Sequence, residues 1–204
     1  MLGFYNYTVI LTYLGMLISF AGLGFAAGGN RAAALLCLML SGFCDMFDGK
    51  IASTMERTAD EKHFGIQIDS LSDLICFGVL PGFILRMQRP DSKALTVFAG
   101  LFALCALIRL AYFNVDELNR QGQTADRRRE YRGLPVTSTA LVLPLVYALG
   151  RYFGAQLPVV TVTMALMAVA FLTPFRLKKP ETPGMLAMIA VGIVGVVLVL
   201  RGLV

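Results

Sequence analysis

The chain has 204 residues, of which 57% are hydrophobic and only 15% are charged, and its mean hydropathy is +0.70. This composition excludes an ordinary water-soluble domain and predicts a single membrane domain over residues 1–204. The net charge of +5 is unevenly distributed, because Lys and Arg cluster at residues 50–62, 120–132 and 176–179.

Seven apolar segments follow one another along the chain, and each is about as long as a membrane-spanning helix. They cover residues 7–28, 31–53, 66–88, 93–115, 134–150, 156–173 and 183–202. We therefore predict an all-α, polytopic membrane helix bundle. Because basic clusters mark cytoplasmic loops, the N-terminus is expected to be cytoplasmic. The last segment is rich in glycine and is a candidate either for a full span or for a packing helix.

Four carboxylates lie inside apolar segments, where an ionisable group costs about 2.5–3.5 kcal/mol on insertion scales. Asp45 and Asp48 are in the second segment, and Asp69 and Asp73 are in the third. Spacings of three and four residues place each pair on one helix face. A polar loop joins the two segments, which are therefore expected to be antiparallel neighbours with converging carboxylates.

Converging carboxylates repel each other unless a cation lies between them. An all-oxygen ligand set is typical of Mg²⁺, Mn²⁺ or Ca²⁺. Two such ions can clamp a diphosphate and stabilise the charge of a leaving group. A carboxylate that is not fully used as a ligand can take a proton from an attacking hydroxyl. The residues thus predict phosphoryl-type transfer, in which positioning and charge neutralisation provide most of the catalysis.

The two carboxylate pairs are part of a longer pattern. It reads Asp45-Met-Phe-Asp48-Gly49-Lys-Ile-Ala52 and then Gly65-Ile-Gln-Ile-Asp69-Ser-Leu-Ser-Asp73. This pattern resembles the signature of the CDP-alcohol phosphotransferases, D-x-x-D-G-x-x-A-R followed by G-x-x-x-D-x-x-x-D. The resemblance is close over residues 41–81 and extends to the rest of the chain through the helix pattern. It implies a six-helix core, with residues 183–202 as an additional C-terminal helix.

By this resemblance, Asp45, Asp48 and Asp69 are ligands of two divalent metal ions. Asp73 is a further ligand and the base that activates the acceptor hydroxyl. Four residues would flank the cytidine and the diphosphate: Gly49, Ala52, Ser53 and Gly65. For the two glycines, helix packing alone is the alternative.

The chain departs from the signature at Ser53, where the family usually has arginine. In the family that arginine lies near the nucleotide end of the site. Lys50, Arg57 and Lys62 are the three candidates to replace it.

Three further stretches resemble the serine-using branch of the family, at residues 69–81, 108–114 and 133–140. The resemblance implies transfer of a phosphatidyl group from CDP-diacylglycerol to the hydroxyl of L-serine, with release of CMP. It also implies a homodimer in the cell membrane, in contact with membrane lipids and without a nucleic-acid partner. An archaeal lipid analogue fits the donor role equally well.

Arg109 is the only basic residue well inside a predicted span, and such a residue needs an anionic partner or a path to water. A substrate phosphate or carboxylate is one partner. An ion pair with one of the four aspartates, or snorkelling to the interface, is the alternative. Arg132, Thr137 and Ser138 are further candidates for contacts to serine or the lipid phosphate.

Two other functions remain open at this stage. The first is the same reaction with another acceptor, such as glycerol 3-phosphate, inositol or inositol phosphate. The second is divalent-cation transport, because intramembrane aspartates can line an ion path. All four aspartates lie toward one side of the membrane, and the last three segments contain no acidic residue to continue such a path.

Overall fold

The computed structural model describes residues 3–123, 130–178 and 182–202. Over these ranges the chain forms eight α-helices and two short strands. They are α1 (Ile10–Ala27), α2 (Arg31–Ala52), α3 (Ala59–Asp73), α4 (Leu80–Arg86), α5 (Lys93–Gln123), β1 (Glu130–Arg132), α6 (Ser138–Tyr152), α7 (Gln156–Leu172), β2 (Arg176–Lys178) and α8 (Thr182–Leu200). A 3-10 turn, Tyr7–Val9, precedes α1, and a π-helical segment, Leu74–Val79, joins α3 to α4.

Four stretches within the described ranges are long and apolar enough to cross a membrane: Tyr7–Ala27, Arg31–Ala52, Ala59–Arg86 and Lys93–Asn119. Two shorter helices within the described ranges, Gln156–Leu172 and Gly184–Leu200, are also apolar. The prediction of an all-α polytopic membrane bundle is confirmed.

The core of the bundle lies between α2, the π-helical segment, α6 and α7. Its fully buried side chains include Leu38, Phe77, Leu143 and Met164. Small residues bring the helices close together, as is typical in membranes. A Cβ added to Gly42 of α2 would lie only 2.5 Å from the Cβ of Ala140 in α6.

The helix that carries Asp69 and Asp73 begins earlier than the predicted start at residue 66. Thr58 caps α3, because its Oγ1 accepts from the N–H of Glu61 (3.2 Å) while Glu61 Oε2 accepts from the N–H of Thr58 (2.9 Å). This capping box nucleates the helix in polar sequence that hydropathy does not mark. Helix α5 also differs from the prediction, because it continues past residue 115 into polar residues.

The helix widens directly after Asp73. The N–H of Leu80 donates to the carbonyl of Ile75, five residues earlier, which is the π-helical pattern. Pro81 has no N–H to donate to the preceding turn, so the wider turn accommodates the proline within a continuous helix. The π-helical segment thus begins beside a predicted site residue.

The two strands tie together the ends of four helices. β1 and β2 pair antiparallel, with Tyr131 opposite Leu177. Gly133 follows β1 with a φ of +76°, and its N–H donates to the carbonyl of Phe175. A Cβ at Gly133 would lie 3.0 Å from the carbonyl oxygen of Thr173, so a larger residue does not fit there. This contact fixes the start of α6 against the end of α7.

Candidate active site

The structure brings the four intramembrane carboxylates together where α2 faces α3. One oxygen from each of Asp45, Asp48 and Asp69 lies within 4.8 Å of the other two. Asp73 is buried, and its carboxyl group contacts that of Asp45 from outside this group of three. The arrangement follows from the spacings of three and four residues on two antiparallel helices.

Helix α1 contributes to this cluster, which sequence analysis did not predict. The hydroxyl of Thr12 donates to Asp48 Oδ2 (3.2 Å), and the hydroxyl of Ser72 donates to the carbonyl oxygen of Thr12 (3.2 Å). Thr12 is buried, although it lies in an otherwise apolar helix. Its spacing of four residues from the buried Thr8 is a signal that was present in the sequence.

Helix α5 holds α3 from the other side. The hydroxyl of Ser70 donates to Asn114 Oδ1 (2.7 Å), and Asn114 Nδ2 donates to Gln67 Oε1 (3.3 Å). Interhelical hydrogen bonds in membranes contribute about 0.6 kcal/mol each on average. They also fix the rotation of α3, and therefore the direction in which Asp69 points.

The carboxylate cluster fits a hard divalent cation. Its donors are all oxygen, and three of them already lie close enough together to share an ion. Without a cation or a proton between them, carboxylates at this separation repel each other. The chain's single histidine, His63, is exposed at the start of α3 and does not belong to the cluster.

The carboxylates open into a cavity of about 1560 Å³ that has a polar end and an apolar wall. At the polar end, all four aspartates line the cavity together with Lys50, Arg57, Arg109 and Glu117. The apolar wall is formed by α2, α6 and α8, and includes Leu40, Phe43, Met188, Ile189, Ile193 and Val196. The cavity is therefore amphipathic.

Arg109 lies buried on α5 and reaches the polar end of the cavity. Its Nε donates to the carbonyl of Leu134 (3.3 Å), and its guanidinium lies 5.8 Å from the centre of the Phe113 ring. Glu117, two turns further along α5, is also buried and lines the cavity. The predicted segment ends at residue 115, so Glu117 was expected in the loop that follows it. Its spacing of eight residues from Arg109 would have identified it if the helix had been extended.

The remaining predicted site residues fall into three groups. Gly49, Ser53, Thr137 and Ser138 line the cavity. Ala52 and Gly65 lie outside the lining, and Gly65 faces the side chain of Arg57 instead. The backbone of Arg132 forms the end of β1, but its side chain lies outside the part of the chain that the structure describes.

These features define a polytopic helical membrane protein whose buried acidic site opens into an amphipathic cavity. The family model for CDP-alcohol phosphatidyltransferases matches residues 5–194. The chain belongs to this family, as the signature around Asp45 and Asp69 predicts. Members of the family generally depend on a divalent metal ion.

Several curated relatives are similar to this chain. The archaetidylserine synthase of Methanothermobacter thermautotrophicus is 30% identical over 77% of this chain and 62% of the relative. The CDP-diacylglycerol–serine O-phosphatidyltransferase of Methanocaldococcus jannaschii is 33% identical over 56% of this chain and 54% of the relative. The enzyme of the same name from Saccharomyces cerevisiae is 35% identical over 55% and 41%. The matched region thus spans between 41% and 62% of the length of these relatives.

Proposed function

We propose that this protein transfers a phosphatidyl group from CDP-diacylglycerol to the hydroxyl of L-serine and releases CMP. The observation that carries the proposal is the carboxylate cluster at the polar end of a cavity whose other wall is apolar. One cavity of this kind accommodates both the anionic diphosphate and the hydrocarbon part of a nucleotide-activated lipid. The names of the curated relatives support serine as the acceptor.

Asp45, Asp48 and Asp69 are the residues that would hold two divalent ions, Mg²⁺ or Mn²⁺, although Ca²⁺ also accepts such ligands. Bound ions would neutralise the diphosphate and stabilise the charge that develops on the departing CMP. Thr12 and Asn114 keep these carboxylates in register through their contacts to Asp48 and to α3. Helices α1 and α5 therefore support the proposed metal site, whose carboxylates lie on α2 and α3.

Asp73 is the proposed general base. It lies beside the group of three carboxylates rather than within it and contacts Asp45, so it is the carboxylate that the metal ions would need least and that could take a proton from the acceptor. The serine oxygen forms a bond to the phosphorus next to the lipid, and the bond from that phosphorus to CMP breaks. The hydroxyl proton passes to Asp73.

The apolar wall supports a lipid donor. The cavity volume of about 1560 Å³ exceeds the roughly 300–1,000 Å³ of a typical small-molecule pocket. Helix α8 supplies much of this wall through Met188, Ile189 and Ile193. Because these side chains offer no polar contact, the wall is compatible with ester-linked or ether-linked chains.

We also propose an orientation and an assembly. The basic clusters at residues 50–62 and 176–179 support a cytoplasmic position for the carboxylate end of the bundle, in a protein of the cell membrane. Serine then enters from the water and the lipid from the bilayer. The enzyme works as a homodimer of this single domain, as the family resemblance implies.

A panel of acceptors tests the proposed reaction. Purified protein would be given labelled CDP-diacylglycerol, Mg²⁺ or Mn²⁺, and one of serine, glycerol 3-phosphate, inositol or inositol phosphate. A parallel series would use an ether-linked CDP-lipid as donor. We expect phosphatidylserine from the serine reaction and no comparable lipid from the others. CMP release that is independent of the acceptor would contradict a synthase.

Arg109→Lys tests whether the buried guanidinium holds a substrate anion. Lysine keeps the charge but loses the planar fork, so we expect a normal fold and a loss of about 10- to 100-fold in kcat/KM. A raised KM for serine alone indicates the serine carboxylate as the partner, and a raised KM for CDP-diacylglycerol alone indicates a phosphate.

The matched control is Arg89→Lys, because Arg89 is exposed beyond the far end of α4 and lies outside the cavity. We expect wild-type kinetics from it. If Arg109→Lys leaves both KM values and kcat unchanged while lowering the thermal stability, Arg109 is a structural residue.

A further inference from the structure

The loop between α2 and α3 carries an arginine with an N–H group that has no hydrogen-bond partner. Arg57 lines the same cavity as the four aspartates. Its Nε is shielded from solvent and has no hydrogen-bond partner. Buried donors in folded proteins are almost always paired, so an unpaired one at a cavity wall indicates a group that the cavity binds.

Gly65 provides the space that this guanidinium occupies. A Cβ added to Gly65 would lie 3.1 Å from Arg57 Nη1, closer than most such contacts. Gly65 lies one turn before Asp69 on α3. The missing side chain therefore lets the guanidinium lie against α3, one turn before Asp69.

The other basic side chains of this segment are placed differently. Lys50 Nζ lies 5.6 Å from the centre of the Phe47 ring, over its face. Lys62 is exposed and lies outside the cavity lining. Of the three residues that the sequence offered as replacements for the arginine missing at Ser53, Arg57 is the one with a solvent-shielded donor that lacks a partner.

The carboxylate of Glu61 already accepts hydrogen bonds from other groups. Glu61 is close enough to interact electrostatically with Arg57. However, Glu61 Oε2 accepts from the N–H of Thr58 (2.9 Å) and Glu61 Oε1 accepts from Asn6 Nδ2 (3.1 Å). Glu61 thus closes the capping box of α3 and leaves the Nε of Arg57 without a partner.

We infer that Arg57 binds the diphosphate of the nucleotide donor, with its Nε–H directed at a phosphate oxygen. The inference rests on the proposed function for the identity of that donor. A guanidinium suits this task because it presents several N–H groups in one plane to phosphate oxygens. Ser53, at the end of α2, lines the same cavity with only a small side chain. In this chain Arg57 of the following loop therefore takes the place of the arginine that the family usually has at position 53.

Binding of CDP to the purified full-length protein in Mn²⁺ tests this assignment. Arg57→Gln is expected to weaken CDP binding by about 10- to 100-fold and to leave the thermal stability without nucleotide unchanged. Lys62→Gln, which removes the same charge from an exposed position, is the matched control and is expected to bind CDP like the wild type. Arg57→Lys keeps the charge but has no Nε–H, so we expect it to fold and to bind CDP several-fold more weakly.

Wild-type CDP affinity in Arg57→Lys or in Arg57→Gln would overturn the inference. An equal loss in Arg57→Gln and Lys62→Gln would overturn it too, because the effect would then be one of general charge. The binding experiment contains no acceptor. A failure of serine as acceptor therefore leaves this inference standing, and a failure of the inference leaves the acceptor assignment standing.

Discussion

Asp69→Asn is expected to lower kcat by about 10³-fold or more while the protein stays in the membrane and keeps its fold. The change removes one of the three carboxylates that lie within 4.8 Å of one another, and with it the charge that would hold a divalent ion. Loss of one electrostatic contact to a transition state alone reduces kcat by about 10²–10³-fold. Asp45→Asn and Asp48→Asn should behave in the same way. The measurement is the initial rate of CMP release.

Asp60→Asn is the matched control for this series. Asp60 lies in the first turn of the same helix, but it is exposed and is not part of the cluster. Its replacement should leave kcat unchanged. Near-normal turnover in any of the three cluster variants would show that the residue concerned is not a metal ligand.

Chelation is expected to abolish activity completely, and Mg²⁺ or Mn²⁺ should restore it where Na⁺ or K⁺ does not. Four converging carboxylates and a diphosphate carry the same sign of charge, and only a multivalent cation offsets both in one site. The experiment treats purified enzyme with excess EDTA, removes the chelator, and adds back each ion separately. CDP binding measured in parallel should be lost and regained with activity.

Full turnover in excess EDTA would contradict the metal-dependent mechanism. Restoration by a monovalent ion would contradict it as well, because the cluster would then need only a general screening of charge.

The sequence predicted those parts of the site whose residues are spaced only a few positions apart along the chain. The spacings of Asp45 to Asp48 and of Asp69 to Asp73 are helical repeats inside apolar sequence, and they determine which faces meet. In the structure the carboxylates of Asp45, Asp48 and Asp69 lie close together, as these spacings predict. The family model matches residues 5–194, in agreement with the family resemblance of the signature at residues 45–73.

The ends of the helices were less predictable, because hydropathy marks the part of a helix that lies in lipid and not the helix itself. The polar first turns of α3 depend on the capping box between Thr58 and Glu61. The polar end of α5 carries Glu117 into the cavity wall, where a loop was expected.

The contacts that α1 and α5 make with the carboxylate helices were not predicted. The hydrogen bond from Thr12 to Asp48 joins residues 36 positions apart, and the one from Ser70 to Asn114 joins residues 44 apart. Likewise, the sequence shows Lys50, Arg57 and Lys62 as basic residues near Ser53 but not which of them has an unpaired buried donor. That difference arises from the space beside Gly65, which the guanidinium of Arg57 occupies, whereas Lys50 lies over the Phe47 ring and Lys62 lies outside the cavity lining.

The path of the serine oxygen tests the proposed reaction most directly. Purified enzyme would be given CDP-diacylglycerol and L-serine that carries ¹⁸O in its hydroxyl group, and both products would be analysed by mass spectrometry. Attack of the serine hydroxyl on the lipid-side phosphorus predicts phosphatidylserine that retains the ¹⁸O and CMP that contains none. Unlabelled phosphatidylserine, or ¹⁸O in CMP, would contradict this mechanism.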